Sequence, residues 1–459
     1  MPSSKPSEAN LPTIHSNAAG IDIGANRHWV SVPPGRATES VRSFGCFTAE
    51  LYALSAWLKQ CQIETVAMES TGVYWIPLFQ ILETQGFEVN LVNAHHVKTV
   101  PGRKSDVLDC QWLQQLHSYG LLSGSFRQED PICVLRSYMR QRDNLVKSAS
   151  THVLRMQKAL TEMNVQLHRV ISDIIGTTGL RILRAIVAGE RNPQVLAAMK
   201  DRRIKASTDD MAAALTGDYR TEQLFILQQE LQLYEIYQQQ LAACDVEIEQ
   251  HLNHFTDQVD PDTDPPPKPK RRGKKQPGNA PDFDLRTHLY RITGVDLTQI
   301  AGLGALSVLV ILAEVGLDAS QFPTVKHFVS WLGLCPGSRI TGGKVKSSKT
   351  RRVVNRAANA FRMAAQTLSR SQSALGAFYR RMKARLGGPK AITATAHKIA
   401  RVFYHVWSTG DAYVDVWSTG DAYVDPGVDT YEQKYRERVL KQLQHKAQVF
   451  GFDLVPQVS

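Results

Sequence analysis

The stretch "AAGIDIGANRHWVSV", Ala18 to Val32, is an apolar β-rich run with one acid, Asp22, set inside it. Such a run has no place for a carboxylate unless that side chain faces a site at the edge of a sheet. Further β-rich runs, "ETVAMES" (Glu64–Ser70) and "FEVNLVN" (Phe87–Asn93), are separated by helical patterns. In "AELYALSAWLKQC", for example, Leu51, Leu54, Trp57, Leu58 and Cys61 share one face. The alternation from Gly20 to about Ser125 predicts an α/β domain, whose ligands gather where the strands end.

Glu69 closes its apolar run in the same strand-terminal position as Asp22. Farther on, "GRKSDVLDCQW" (Gly102–Trp112) places Asp106 and Asp109 three positions apart, on one helical face, behind Arg103 and Lys104. Two like charges held that close are favourable with a cation between them, or when both point into water as an ordinary first helical turn. Together Asp22, Glu69, Asp106 and Asp109 form a set that could converge on one or two hard divalent cations, Mg²⁺ or Mn²⁺. Such sites act on phosphodiesters. A lone strand-terminal acid is more often a cap or turn residue, but four in this order within about ninety residues are harder to dismiss.

The 459-residue chain carries 54 Lys+Arg against 43 Asp+Glu, a formal charge of +11 that suits an acidic partner such as nucleic acid. Its six cysteines include no CxxC pair, which argues against a zinc site or a disulfide framework and for reduced, cytosolic thiols. No apolar run reaches membrane-spanning length, and residues 1–17 lack the apolar core of a signal peptide and are expected to be a disordered tail.

Beyond the α/β domain (18–128), residues 129–257 carry two runs of apolar positions in alternating steps of three and four, Val146 to Leu167 and Leu224 to Leu252. Gln238 and Asp245 are polar members of the second series. Both runs read as coiled-coil helices, paired as an antiparallel hairpin around a small helical insert and serving to dimerise the chain. An intramolecular bundle is the plainer alternative. Residues 258–282 form a Pro-rich linker with six basic residues from Lys268 to Lys275; 283–410 read as a mainly α domain; 411–459 are a tail and helix. The ten residues "VWSTGDAYVD" occur twice in tandem, at 406–415 and 416–425, too short a unit for a repeat architecture.

The order Asp, Glu, then DxxD resembles the DEDD transposases of bridge-RNA-guided insertion sequences, whose N-terminal domain is RuvC-like (ribonuclease H-like). "GIDIG" with its hairpin, "MESTGVYW" and "RKSDVLDCQWL" are similar to that family's first strands, Glu motif and paired-Asp helix. The segment running from "IAGLGALSVLVILAEVG" through "FVSWLGLCPGSRITGGKV" to "RRVVNRAANAFRMAA" is similar to its C-terminal transposase domain. The resemblance implies that the four carboxylates hold metal and that a hydroxyl of the C-terminal domain attacks the DNA backbone to leave a covalent phosphoester. It also implies that a guide RNA pairs with donor and target DNA. An active site shared between protomers of a dimer or tetramer, in a prokaryotic, nucleoid-associated cytoplasmic protein, completes the expectation.

The nucleophile departs from the pattern, since the family's serine, just before a glycine, falls on Thr341. Thr341 is the expected attacking group and Ser338 the alternative. Arg339, Lys344, Lys346, Lys349, Arg351, Arg352 and Arg356 around it are expected to neutralise phosphates, as are Arg103 and Lys104; a solvated basic helix is the bland reading. The glycine turn in "IAGLGALS" (Ile300–Ser307) resembles a DNA-contacting helix-hairpin-helix, though the same letters also make ordinary helix junctions. Tyr74 and Trp75 are expected in the core rather than stacked on nucleotides. Two other function classes compete: a RuvC-like structure-specific nuclease, which has no use for the hydroxyl, and an RNA-binding scaffold, which has no use for the acids.

Overall fold

The computed structural model describes residues 12–70, 72–92, 105–122, 124, 127–268, 279–351, 355–410 and 427–455. The chain divides into two compact units at Arg127.

In the first unit five strands form one sheet in the order β3-β2-β1-β4-β5. They are β1 (Ala18–Ile23), β2 (Arg27–Ser31), β3 (Val41–Gly45), β4 (Thr65–Glu69) and β5 (Glu88–Val92). β1 to β3 are antiparallel, while β4 and β5 run parallel to β1. Helices α1 (Thr48–Gln60) and α2 (Trp75–Thr84) supply Leu54, Leu58, Leu78 and Leu82 to a core shared with Ile21, Ile23, Val66 and Met68. Strand alternation sends Gly20 and Asp22 to the opposite face. There α3 (Asp106–Ser118) packs, with Leu113 against Ala67 and Val92. This mixed sheet with helices on both faces is the expected ribonuclease H-like class.

Gly20 is what lets α3 lie so close. A Cβ built there falls 2.3 Å from Gln114 N and 2.4 Å from Cys110 O, so backbone meets backbone. Gly20→Ala should therefore lower the stability of this unit by about 3 kcal/mol or more, as overpacking does. Gly304→Ala, where a Cβ meets nothing within 4 Å, should change stability by less than about 0.5 kcal/mol. Urea unfolding followed by circular dichroism reads both, and equal stability of the two variants would contradict the packing argument.

Farther along α3, the His117 ring lies with Nε2 2.8 Å from the Thr65 hydroxyl and stacks on His15. Burial, reinforced by His15, pushes its pKa down to about 4, so it packs as the neutral imidazole. The Ile14 and His15 amides both donate to Ser118 O, and Asn17 O accepts from the Glu64 and Thr65 amides. The expected tail therefore ends sooner than residue 17, because its last residues find backbone partners on α3 and β4; residues 1–11 lie outside the described residues.

Among its described residues the second unit is helical apart from one small ribbon. Its two longest helices, α4 (Asp130–Glu162) and α9 (Thr221–Asn253), lie antiparallel. Arg142 of α4 forks onto Asp245 of α9 (2.5 and 3.1 Å) while His152 meets Glu230. Asp245, one of the two polar members of the heptad series, is thus neutralised by a buried guanidinium, which also donates to Asn279 O (2.8 Å). Between the long helices lie α5 (Leu167–Val170), α6 (Thr177–Val187), α7 (Pro193–Ala198) and α8 (Thr208–Leu215), which build a core around Met156, Leu160, Ile182 and Leu227.

The remaining helices are α10 (Leu285–Thr293), α11 (Ala305–Val315), α12 (Val325–Trp331), α13 (Arg356–Thr367), α14 (Ala374–Leu386), α15 (Gly388–Thr409) and α16 (Gly427–Val449). Phe328, Phe361 and Phe403 form the aromatic centre of this part. α4 is fastened to α11 by Arg136, which donates to the Ala313 and Glu314 carbonyls, and by Arg140, which forks onto the Glu314 carboxylate. The basic stretch of the linker after Lys268, and the sequence duplication beyond Gly410, lie outside the described residues.

Candidate functional site

Asp22 and Glu69 sit at the carboxyl ends of neighbouring parallel strands. The last rung of their ladder pairs Ile21 with Met68, and Asp22 and Glu69 are the next residue on each strand. Both belong to the alternate set that faces α3, with Gly20 on one strand and Thr65 and Ala67 on the other. Glu69 is only 7% exposed. A carboxylate that buried has to be matched by a partner or a cation.

α3 brings the other two acids to the same end of the sheet. Its C-terminal end lies against Thr65, at the start of β4, and its middle against Gly20, so its N-terminus lies toward the strand ends that bear Asp22 and Glu69. Ser105 caps it, accepting from the Leu108 amide, and Asp106 and Asp109 occupy its first turn. Negative charge is favoured at that end of a helix, where amides are unsatisfied. Asp106 is exposed and Asp109 half-buried.

Cys110 links the two elements. Its buried thiol, which donates to Val107 O, is pushed up to about 12, first by burial and then by the charge of Asp22, with Asp109 adding to it. Cys110 belongs to the turn of α3 whose backbone lies against Gly20, two residues before Asp22, which sets the strand acid and the helix acid on the same side of the sheet. Trp29, the cross-strand partner of Asp22, borders them. Sequence reasoning passed over Gly20, Trp29 and Cys110; the directly adjacent DxxDC spelling was the one available signal for the thiol.

The donor set therefore fits a hard cation in chemistry and in facing. Among the described residues, however, no three His, Cys, Asp or Glu side chains stand close enough together to hold one. The acids share a face without being drawn into a cage. Arg103 and Lys104 lie outside the described residues.

In the second unit Thr341 ends β6 (Arg339–Thr341), which pairs antiparallel with β7 (Lys344–Ser347). The register pairs Thr341 with Lys344 across Gly342 and Gly343, whose φ values are 55° and 74°. A two-residue hairpin turn with positive φ at both central positions is open to glycine and closed to most other residues. "TGGK" is thus a device for holding a hydroxyl at the tip of a ribbon, exposed to solvent. Ser338 is also exposed, just before β6.

Lys344, Lys346 and Lys349 are exposed, and so is Arg351, which donates to Ser330 O (2.9 Å). Arg356 is held by Asp143 (3.1 Å), so its charge is already partly answered within the protein. The Arg339 side chain and Arg352 are outside the described residues. The larger electrostatic fact is one of segregation: from Ala319 to Gly410 the sequence holds seventeen Lys and Arg and no Asp or Glu. With the whole chain at +11 and this segment at +17, the remainder is at −6. Counting charge by segment rather than over the whole chain would have found this from sequence.

The glycine turn before α11 is built as its letters suggest. Gly302 has φ 96° and lies against Ala364 O, and Gly304 caps the helix in open space. Of the aromatic pair after Glu69, Trp75 packs on the core, edge-on to Phe79, while Tyr74 is half exposed and so is not the core residue expected.

No helix among the described residues is long and apolar enough to cross a membrane. No curated protein matches the chain. Residues 19–165 match the profile of the IS110-type DEDD transposase domain, described as a transposase, and such a domain is divalent-metal-dependent in general. Residues 296–380 match the profile described as the transposase IS116/IS110/IS902 family. With the acid-bearing sheet inside the first match and the glycine-tipped ribbon inside the second, the chain belongs to the IS110-type transposases and is a DNA transposase or recombinase.

Proposed function

We propose that this enzyme is an RNA-guided recombinase of an insertion sequence, which cuts and rejoins donor and target DNA through a phosphoester on Thr341. The observation that carries this reading is the exposed hydroxyl held on a Gly-Gly turn within a stretch of seventeen cations and no acids. A hydrolase that uses water has no need of that ribbon.

Asp22, Glu69, Asp106 and Asp109 would hold the divalent cation, Mg²⁺ before Mn²⁺. Bound there, it would supply charge neutralisation for the phosphate under attack. The chain's own chemistry is a transesterification. The bond from Thr341 Oγ1 to phosphorus forms as one phosphorus–sugar oxygen bond breaks, and the hydroxyl proton ends on the departing sugar oxygen. Attack by a sugar hydroxyl of the other DNA reverses the exchange and frees Thr341. One phosphoester replaces another, so no external energy source is needed. Lys344, Lys346 and Lys349 hold the backbone in place. Sequence choice rests with the guide RNA, and the chain works as a homo-oligomer, for which the long antiparallel helices serve as an assembly element.

The purified protein is expected to carry RNA. Digesting that RNA should abolish preference for the target sequence and leave weak binding whose affinity falls steeply with salt. Incubation with Mg²⁺ and both DNAs should give protein-linked strands and recombinant joints. Free ends would point to a nuclease, an untouched substrate to a scaffold, and unchanged target preference after complete digestion to readout by the protein itself.

A further inference from the structure

The ribbon that carries Thr341 has a second face. Ile340 and Val345 are cross-strand partners and therefore project from the same side, opposite Thr341 and Lys344. They are 63% and 61% exposed. Two β-branched apolar side chains, directly opposed at the tip of an otherwise basic hairpin, leave most of their surface to water. Paired across the ribbon rather than scattered singly, they make a small apolar face that a partner can cover.

We propose that Ile340 and Val345 form an apolar wedge that enters the base stack beside the phosphate attacked by Thr341. The inference rests on Thr341 being the attacking group. Charge selects the occupant: Lys344 and Lys346 are exposed on the other face of the same hairpin, Lys349 is exposed just beyond it, and no acid lies between Ala319 and Gly410, so the partner at this tip is a polyanion. Against DNA, the surface an apolar side chain can cover with profit is the face of a base. With the Thr341 face of the ribbon at a phosphate, the opposite face, which carries Ile340 and Val345, is left to the neighbouring bases. Apolar wedges of Ile, Leu or Phe unstack and kink DNA in this way elsewhere. Here the kink would open the backbone at the phosphate to be exchanged.

The test uses the protein with its co-purified RNA and a duplex spanning the element's own end, with 2-aminopurine beside the cleaved phosphate. Wild-type protein should raise the fluorescence several-fold as the base loses its stacking partner. The Ile340→Ser/Val345→Ser protein should not. It should also form the covalent adduct about 10- to 100-fold more slowly on the paired duplex, and at close to the wild-type rate when a mismatch already opens that step. Ile340→Leu/Val345→Ile should keep the wild-type signal. Both side chains are exposed, so the serine protein is expected to fold. A serine variant equally slow on both duplexes overturns the wedge and points to protein packing on this face. A silent fluorophore with a normal Thr341 adduct overturns the wedge alone, whereas an adduct on another residue overturns the nucleophile assignment and the wedge with it.

Discussion

Asp106→Asn should reduce recombination in Mg²⁺ to background while leaving the unfolding midpoint nearly where it was. Asp106 is exposed in the first turn of α3, so its contribution to folding is its charge at a helix N-terminus, about 0.3–1 kcal/mol. Asparagine keeps the shape and most of the hydrogen-bonding capacity and loses the full negative charge. For a hard divalent cation held by oxygen ligands, that loss falls on affinity and on placement together. The expected fall in rate is about 10³-fold or more, the scale on which transition-state charge stabilisation acts. Asp22→Asn, Glu69→Gln and Asp109→Asn should behave alike, and each should weaken Mn²⁺ binding measured by titration calorimetry. The plain alternative is that Asp106 only favours the helix. In that case the Asn protein loses a few tenths of a kcal/mol and recombines normally, and the metal assignment fails.

The contrast between what could be read and what could not follows from the range of the interactions. Apolar runs bounded by turns reveal strands because each strand is a local object, so β1, β4 and β5 and the acids at their ends were visible from the letters. The pairing of Asp22 beside Glu69 needs the β1–β4 register, which depends on residues more than forty positions apart. Gly20 gave no sign that a helix would lie against its Cα, because the partner backbone at Cys110 and Gln114 is about ninety residues away. The heptad pattern showed two long helices, but whether such helices meet each other or a second chain is not written in the period. The bidentate Arg142–Asp245 pair shows that the acidic heptad position is satisfied within one chain. At Thr341 the letters "TGGK" gave the turn, yet the side on which Ile340 and Val345 would be left uncovered depended on register and exposure.

Thr341→Ala should abolish covalent protein–DNA adducts and recombination together, with no loss of stability, since the side chain is exposed at the tip of a two-residue turn. Removing the hydroxyl removes the only atom that can form the phosphoester at that position. Thr341→Ser tests the cost of the β-methyl. Threonine is confined at χ1 by its branched carbon, and the methyl crowds one approach to phosphorus. Phosphoryl transfer depends chiefly on placement and charge, however, and a threonine hydroxyl can be placed as well as a serine one. The serine protein is therefore expected to match or exceed the wild-type rate, and Ser338→Ala to change it by less than about threefold, a difference of under about 1 kcal/mol in barrier. Adducts trapped on a nicked duplex can be digested and the phosphate-bearing residue read by mass spectrometry. The decisive peptide spans residues 338–344, which hold both candidate hydroxyls. Phosphate on Ser338, or an adduct that survives Thr341→Ala, would show that the Gly-Gly turn holds Thr341 out for contact with DNA rather than for attack on it.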